Sequence, residues 1–184
     1  MISGAITELP EPRRAAVLAL FTECVERLQA AGLAAEYLSE PKPIPSDQIR
    51  DMSSRYLALG LVCPFLEDDA CSIYPNRPFV CREYLVNTPK ELCTNPLSGL
   101  VRTVPMVLEL AAITLELAAA ITGRAQRTVP LTLALVYAQT HRGELEQTYP
   151  SIQLWNQAVR KLASVADRHP ELPAGMDPPV TQNS

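Results

Sequence analysis

Apolar residues recur at helical intervals along most of this chain. From Glu11 to about Leu38, Val17, Leu20, Phe21, Val25 and Leu28 are spaced to share one face, with Pro10 and Pro12 at the start and Pro41, Pro43 and Pro45 beyond the end. The pattern predicts one long or briefly interrupted helix. Ser46 and Asp47 then offer a cap for a shorter helix running to about Leu59, with Gly60 as its stop. The most hydrophobic stretch, Pro105 to Ile121, predicts a buried helix ending at Gly123. It is shorter than the roughly 20 residues of a membrane span and includes Glu109 and Glu116. Thr128-Val129-Pro130 starts a further helix whose apolar face holds Leu131, Leu133, Leu135, Val136 and Tyr137. Another, with Ile152, Leu154, Trp155, Val159, Leu162 and Val165, runs from Ser151 to about His169.

No alternation of useful length predicts a strand. The expected fold is therefore all-α: a bundle of four or five helices with an irregular insertion, about residues 60–95, between its halves. Residues 1–169 form a single domain on this reading. The Pro-rich end, 170–184, has little to bury and is expected to be an extended or disordered tail.

Composition narrows the setting. A hydrophobic share of 47% can fill one core, and a net charge of −4 provides no basic surface for nucleic acid. Arg13-Arg14 and the apolar run that follows resemble an export signal superficially. Glu8 and Glu11 precede the arginines, and the run stops at Thr22-Glu23 without a small-residue cleavage site, so a helix and a cytoplasmic location are expected.

The candidate chemistry lies in the insertion. Cys63, Cys71, Cys81 and Cys93 are separated by seven, nine and eleven residues, while Cys24 stands apart on the first apolar face and reads as a small buried hydrophobe. Four thiols can supply one Cys₄ site, a ligand count that both zinc and iron–sulfur clusters accept. Metal-free thiolates so grouped would repel one another and raise their own pKa values. Disulfides, which require an oxidising compartment, and free thiols are the competing readings.

The residues between the cysteines add to this. Cys63, Pro64, Phe65, Leu66, Cys71, Ile73, Tyr74, Arg77, Pro78, Cys81 and Arg82 match the pattern CPFL…C-x-IY-x-x-RP-x-x-CR, and the stretch resembles the YkgJ-type cysteine-cluster family of zinc- or iron-chelating proteins. The upstream cysteine cluster of many such proteins is missing here, which reduces the expectation to one metal centre and makes Cys93 the natural fourth ligand. A similar module in flagellin lysine methylases implies an iron–sulfur cluster, and a small enzyme or accessory subunit in protein modification is a further reading.

Wide spacing and apolar neighbours (Phe65, Ile73, Tyr74, Phe79, Leu92) suit a [4Fe–4S] cluster in a partly dry pocket, with Zn²⁺ as the alternative. Around the ligands, Arg77, Arg82, Tyr74 and Pro78 are expected to support the site rather than bind metal. A cluster implies electron transfer or redox sensing with a protein redox partner; zinc implies a structural or protein-interaction module. Catalytic residues are not identifiable. Glu109 and Glu116 lack an E-x-x-H partner, and His141 and His169 read as helix-end residues.

Overall fold

The computed structural model describes residues 2–40, 42–89, 99–106, 109–126 and 128–166. The chain is mostly helical there, with a single two-stranded hairpin. Helix α1 (Ile2–Thr7), not anticipated from the sequence, precedes α2 (Arg13–Ala30), which buries Val17, Phe21, Cys24 and Leu28 along one stripe. Gly32, at φ 73°, adopts the left-handed conformation that ends α2 and admits α3 (Leu33–Leu38). The expected interruption of the first helix is this glycine.

Helix α4 (Ser46–Ala58) lies where the capping pattern put it, but the cap differs. Pro45 is the N-cap, no side chain caps the end, and Ser46 is already helical. Arg55 holds α4 to α3 through Glu36 at 2.6 Å, and also pairs with Asp51 on its own helix. From there the chain enters the hairpin of β1 (Leu66–Glu67) and β2 (Ala70–Cys71), paired Leu66 to Cys71 and Glu67 to Ala70. Asp68 and Asp69 both take positive φ (46° and 59°), as a two-residue hairpin loop of matching twist requires. A two-residue strand has no alternation to read, hence its absence from the sequence pattern.

A 3₁₀ turn (Tyr74–Asn76) and the short helix α5 (Phe79–Glu83) complete the insertion. The chain then makes an antiparallel rung between Val86 and Thr103, flanked by Asn87 N–H to Arg102 O at 3.1 Å and Val104 N–H to Leu85 O at 2.8 Å. Helix α6 (Leu110–Thr122) starts later than its apolar run, and the Glu83 carboxylate accepts the Ala111 N–H at 3.1 Å near its first turn. It ends at Gly123, φ 68°, as expected. The expectation of full burial fails: Ile113 alone in α6 is buried, because the helix is covered mainly along one side, by α9 and α5.

The predicted helix after Pro130 is divided into a 3₁₀ turn (Leu131–Leu133), α7 (Ala134–Thr140) and α8 (Arg142–Leu145). His141 sits at the α7–α8 junction, stacked on Tyr137 with ring centres 4.2 Å apart. Helix α9 (Ser151–Ala166) packs along α6, with Lys161 paired to Glu116. That pairing accounts for Glu116, and Glu109 is the N-cap residue of α6. His169 and the 170–184 tail lie outside the described residues.

Two buried clusters hold these elements together. One joins Ala5, Ile6, Val17 and Phe21 to Phe65 and Ile73 of the insertion; the other joins Leu28, Leu33 and Ala34 to Leu133. The first is what fixes the cysteine segment to the helices.

Candidate metal centre

The segment begins with Cys63, just beyond α4, and its first fixed point is Phe65. That ring is fully buried and meets Phe21 of α2 edge to face, centroids 5.5 Å apart at 73°. Ser72 N–H and Ser72 Oγ–H both donate to Phe65 O, at 2.8 and 3.1 Å, so the two ends of the hairpin are closed on the same carbonyl. Arg13 of α2 adds an ion pair to Glu67, 3.0 Å from Nε to Oε2, though without hydrogen-bond alignment. Core packing and these polar ties hold Cys63 and Cys71 beside α2.

Arginines organise the second half. Arg82 Nε–H donates to Arg77 O at 2.9 Å and its guanidinium also reaches Pro75 O, bracing the turn that leads into Cys81. The Arg77 guanidinium lies 3.9 Å from the centre of the Tyr74 ring. Its Nε is buried and has no hydrogen-bond partner, leaving a donor unsatisfied. Pro78 precedes α5 as its N-cap residue and accepts the Cys81 N–H at 3.0 Å. Arg77, Arg82, Tyr74 and Pro78 thus brace the backbone approaching Cys81.

Cys63, Cys71 and Cys81 are free thiols in surroundings that share one electrostatic field. Burial raises the Cys81 pKa, charge on Cys63 and on Cys71 raises it further, and Arg77 opposes them. Partial desolvation likewise raises that of Cys63, a residue otherwise exposed, with Cys71 adding to the effect, while the backbone N–H groups of Phe65 and Leu66 favour the thiolate. Those two donors are a feature the residue types did not disclose. They arise from the turn after Cys63, where Leu66 N–H also closes on Cys63 O at 2.9 Å.

Donor chemistry and geometry differ in how far they fit a metal. Three thiols, backbone N–H groups that lower the pKa of one of them and an unpartnered arginine donor match a thiolate-bound cation or cluster. Among the described residues, however, no group of three or more His, Cys, Asp or Glu side chains stands ready to hold a metal ion. Cys93 lies outside the described residues, as does Leu92.

The apolar residues expected to make a partly dry pocket around the cysteines divide into two sets. Phe65 and Ile73 are buried in the helical core, but Tyr74 and Phe79 are 60% and 46% exposed, because α5 and the preceding turn lie on the surface. Cys63 is itself exposed. Cys24 is buried on the α2 stripe as anticipated, and its thiol donates to Val62 O at 3.9 Å. Burial, then Glu23, raises its pKa; Arg27 opposes them and Cys63 contributes. The core cysteine therefore adjoins the start of the cysteine segment, which spacing in the chain could not reveal.

The raised thiol pKa values make stability pH-dependent. An unfolded chain releases these protons first, so the metal-free protein keeps this stabilisation below the ordinary thiol value of 9.0 and loses it as pH rises through the higher folded values. Denaturant titrations on metal-free protein should show stability falling with alkali more steeply than in a variant with alanine at 63 and 81. Equal slopes would contradict the assigned burial.

Comparison of the chain with protein-family models, curated proteins and solved structures gives no match.

Proposed function

We propose that the chain is a metal-binding protein that carries one [4Fe–4S] cluster on Cys63, Cys71, Cys81 and Cys93, in an insertion of an α-helical bundle, and uses it for electron transfer or redox sensing. The observation that carries this reading is the environment of Cys63: desolvation and charge on Cys71 make its thiolate costly without a cation, while the backbone N–H groups of Phe65 and Leu66 favour it. Hydrogen bonds of this kind to ligand sulfur tune cluster potentials, and the unpartnered Arg77 Nε is a further donor of the same type. When bound, such a cluster supplies one-electron chemistry. The protein's share is to gather the thiolates, neutralise part of their charge through Arg77 and anchor the segment through Phe65 and Ile73.

A zinc-stabilised interaction module is the second reading, favoured by the exposed apolar row of α9. Ile152, Trp155, Val159 and Leu162 are 65%, 67%, 44% and 42% exposed. A methyl-transfer role gains no comparable support: none of the four principal cavities among the described residues is lined by a cysteine of the segment.

The test of use is reversible reduction. Protein reconstituted anaerobically with ferrous iron and sulfide should bleach with dithionite, develop a paramagnetic signal and recover on mild oxidation. A cluster that forms but cannot be cycled would overturn the electron-transfer role.

A further inference from the structure

A cavity of about 670 Å³ lies between the α3–α4 connection and α6, away from the cysteines. Its apolar walls come from Tyr37, from Ile44, Ile49 and Met52, and from Leu115 and Ala119, while Ser53, Gln126 and Thr128 add neutral polar groups to the lining. The volume falls in the range of small-molecule sites, roughly 300–1,000 Å³. Pro43 is part of the lining, so this wall has little freedom to lose when a ligand enters. Met52 is one of the most buried side chains of the protein and closes the α4 side of the cavity.

Charge selects among possible occupants. The ionic side chains of the lining are Lys42 and Arg124, with no carboxylate among them. Arg124 is engaged by Glu144, whereas Lys42 is exposed and has no ion-pair partner among the described residues. An apolar chamber with an unpaired cation complements a molecule with an apolar body and one anionic end. The Tyr37 phenol in the lining is protonated at neutral pH like any ordinary tyrosine, so its hydroxyl can also donate to an anion.

We propose that this cavity binds a small amphipathic carboxylate, its apolar part against Ile44, Met52 and Leu115 and its carboxylate at Lys42. The site is independent of the metal reading, since none of its lining belongs to the cysteine segment. Isothermal titration of the full chain with decanoate, kept below its micellar concentration, should give saturable one-to-one binding. Decyltrimethylammonium, with the same tail and the opposite charge, should bind at least about tenfold more weakly. Lys42→Glu, a change in an exposed connection, should weaken decanoate by a similar factor and spare the cation. Ala119→Phe, which fills the cavity, should abolish binding with its helical circular dichroism intact; Trp155→Ala, on the exposed face of α9, should change nothing. Absence of saturable binding, equal affinity for both amphiphiles, insensitivity to both Lys42→Glu and Ala119→Phe, or loss of binding in Trp155→Ala would each overturn the proposal.

Discussion

A Cys81→Ser chain should fail to retain stoichiometric metal. In the proposed site four thiolates would share an apparent binding free energy on the order of 10–16 kcal/mol, so removing one ligand should cost about 2.5–4 kcal/mol, a loss of affinity on the order of a hundredfold to a thousandfold. Cys71→Ser should do the same, because charge at Cys71 acts on both Cys63 and Cys81. Cys24→Ser is the control. Its hydroxyl can still donate toward Val62 O, and metal content should stay at the wild-type level. Elemental analysis of the three variants, prepared identically, provides the check. Normal metal in both Cys71→Ser and Cys81→Ser would end the ligand assignment, and metal loss in Cys24→Ser would move that residue from the core into the site.

Phe65→Ala should cost about 3–5 kcal/mol of stability, the usual range for deleting a buried aromatic ring. The ring is fully buried, contacts Phe21 edge to face and joins Val17 and Ile73 in the cluster that fixes the insertion to α1 and α2. Phe79→Ala, by contrast, should cost less than about 1 kcal/mol, since nearly half of that side chain already faces water. Equilibrium denaturation of the metal-free proteins separates the two cases. Similar costs would mean that the insertion is not anchored through Phe65. Metal affinity should also fall in Phe65→Ala, because without the ring the turn that carries the N–H groups favouring the Cys63 thiolate is no longer anchored against Phe21.

Helical periodicity carried much of the fold. The α2 stripe of Val17, Phe21, Cys24 and Leu28 follows directly from spacing, and Gly32 and Gly123 end helices at positive φ because a glycine can adopt it without steric cost. Burial was harder to read. The apolar run in α6 predicts a buried helix, yet hydrophobicity records only what could be buried, and the coverage by α5 and α9 is set by tertiary packing. The hairpin of Leu66–Cys71 is too short for any period, although Asp68-Asp69 is turn chemistry in retrospect.

The candidate site divides in a similar way. Cysteine clustering and the RP-x-x-CR element led to the thiols and to Arg77 and Arg82, whose guanidinium groups do brace this segment. The donors around Cys63 are backbone atoms, and side-chain identity does not specify them. Phe65 and Phe79 look alike in the sequence; one is core and the other surface because only the first reaches α2. Nor could spacing bring Cys24, 38 residues upstream of Val62, to its carbonyl.

The most direct test is the iron, acid-labile sulfide and zinc content of protein purified without oxygen, measured together with its visible spectrum. The proposed function predicts brown protein with about four irons and four sulfides per chain and little zinc. Colourless protein with one zinc per chain would contradict the cluster while keeping the Cys₄ site, and protein with neither metal would contradict the site itself.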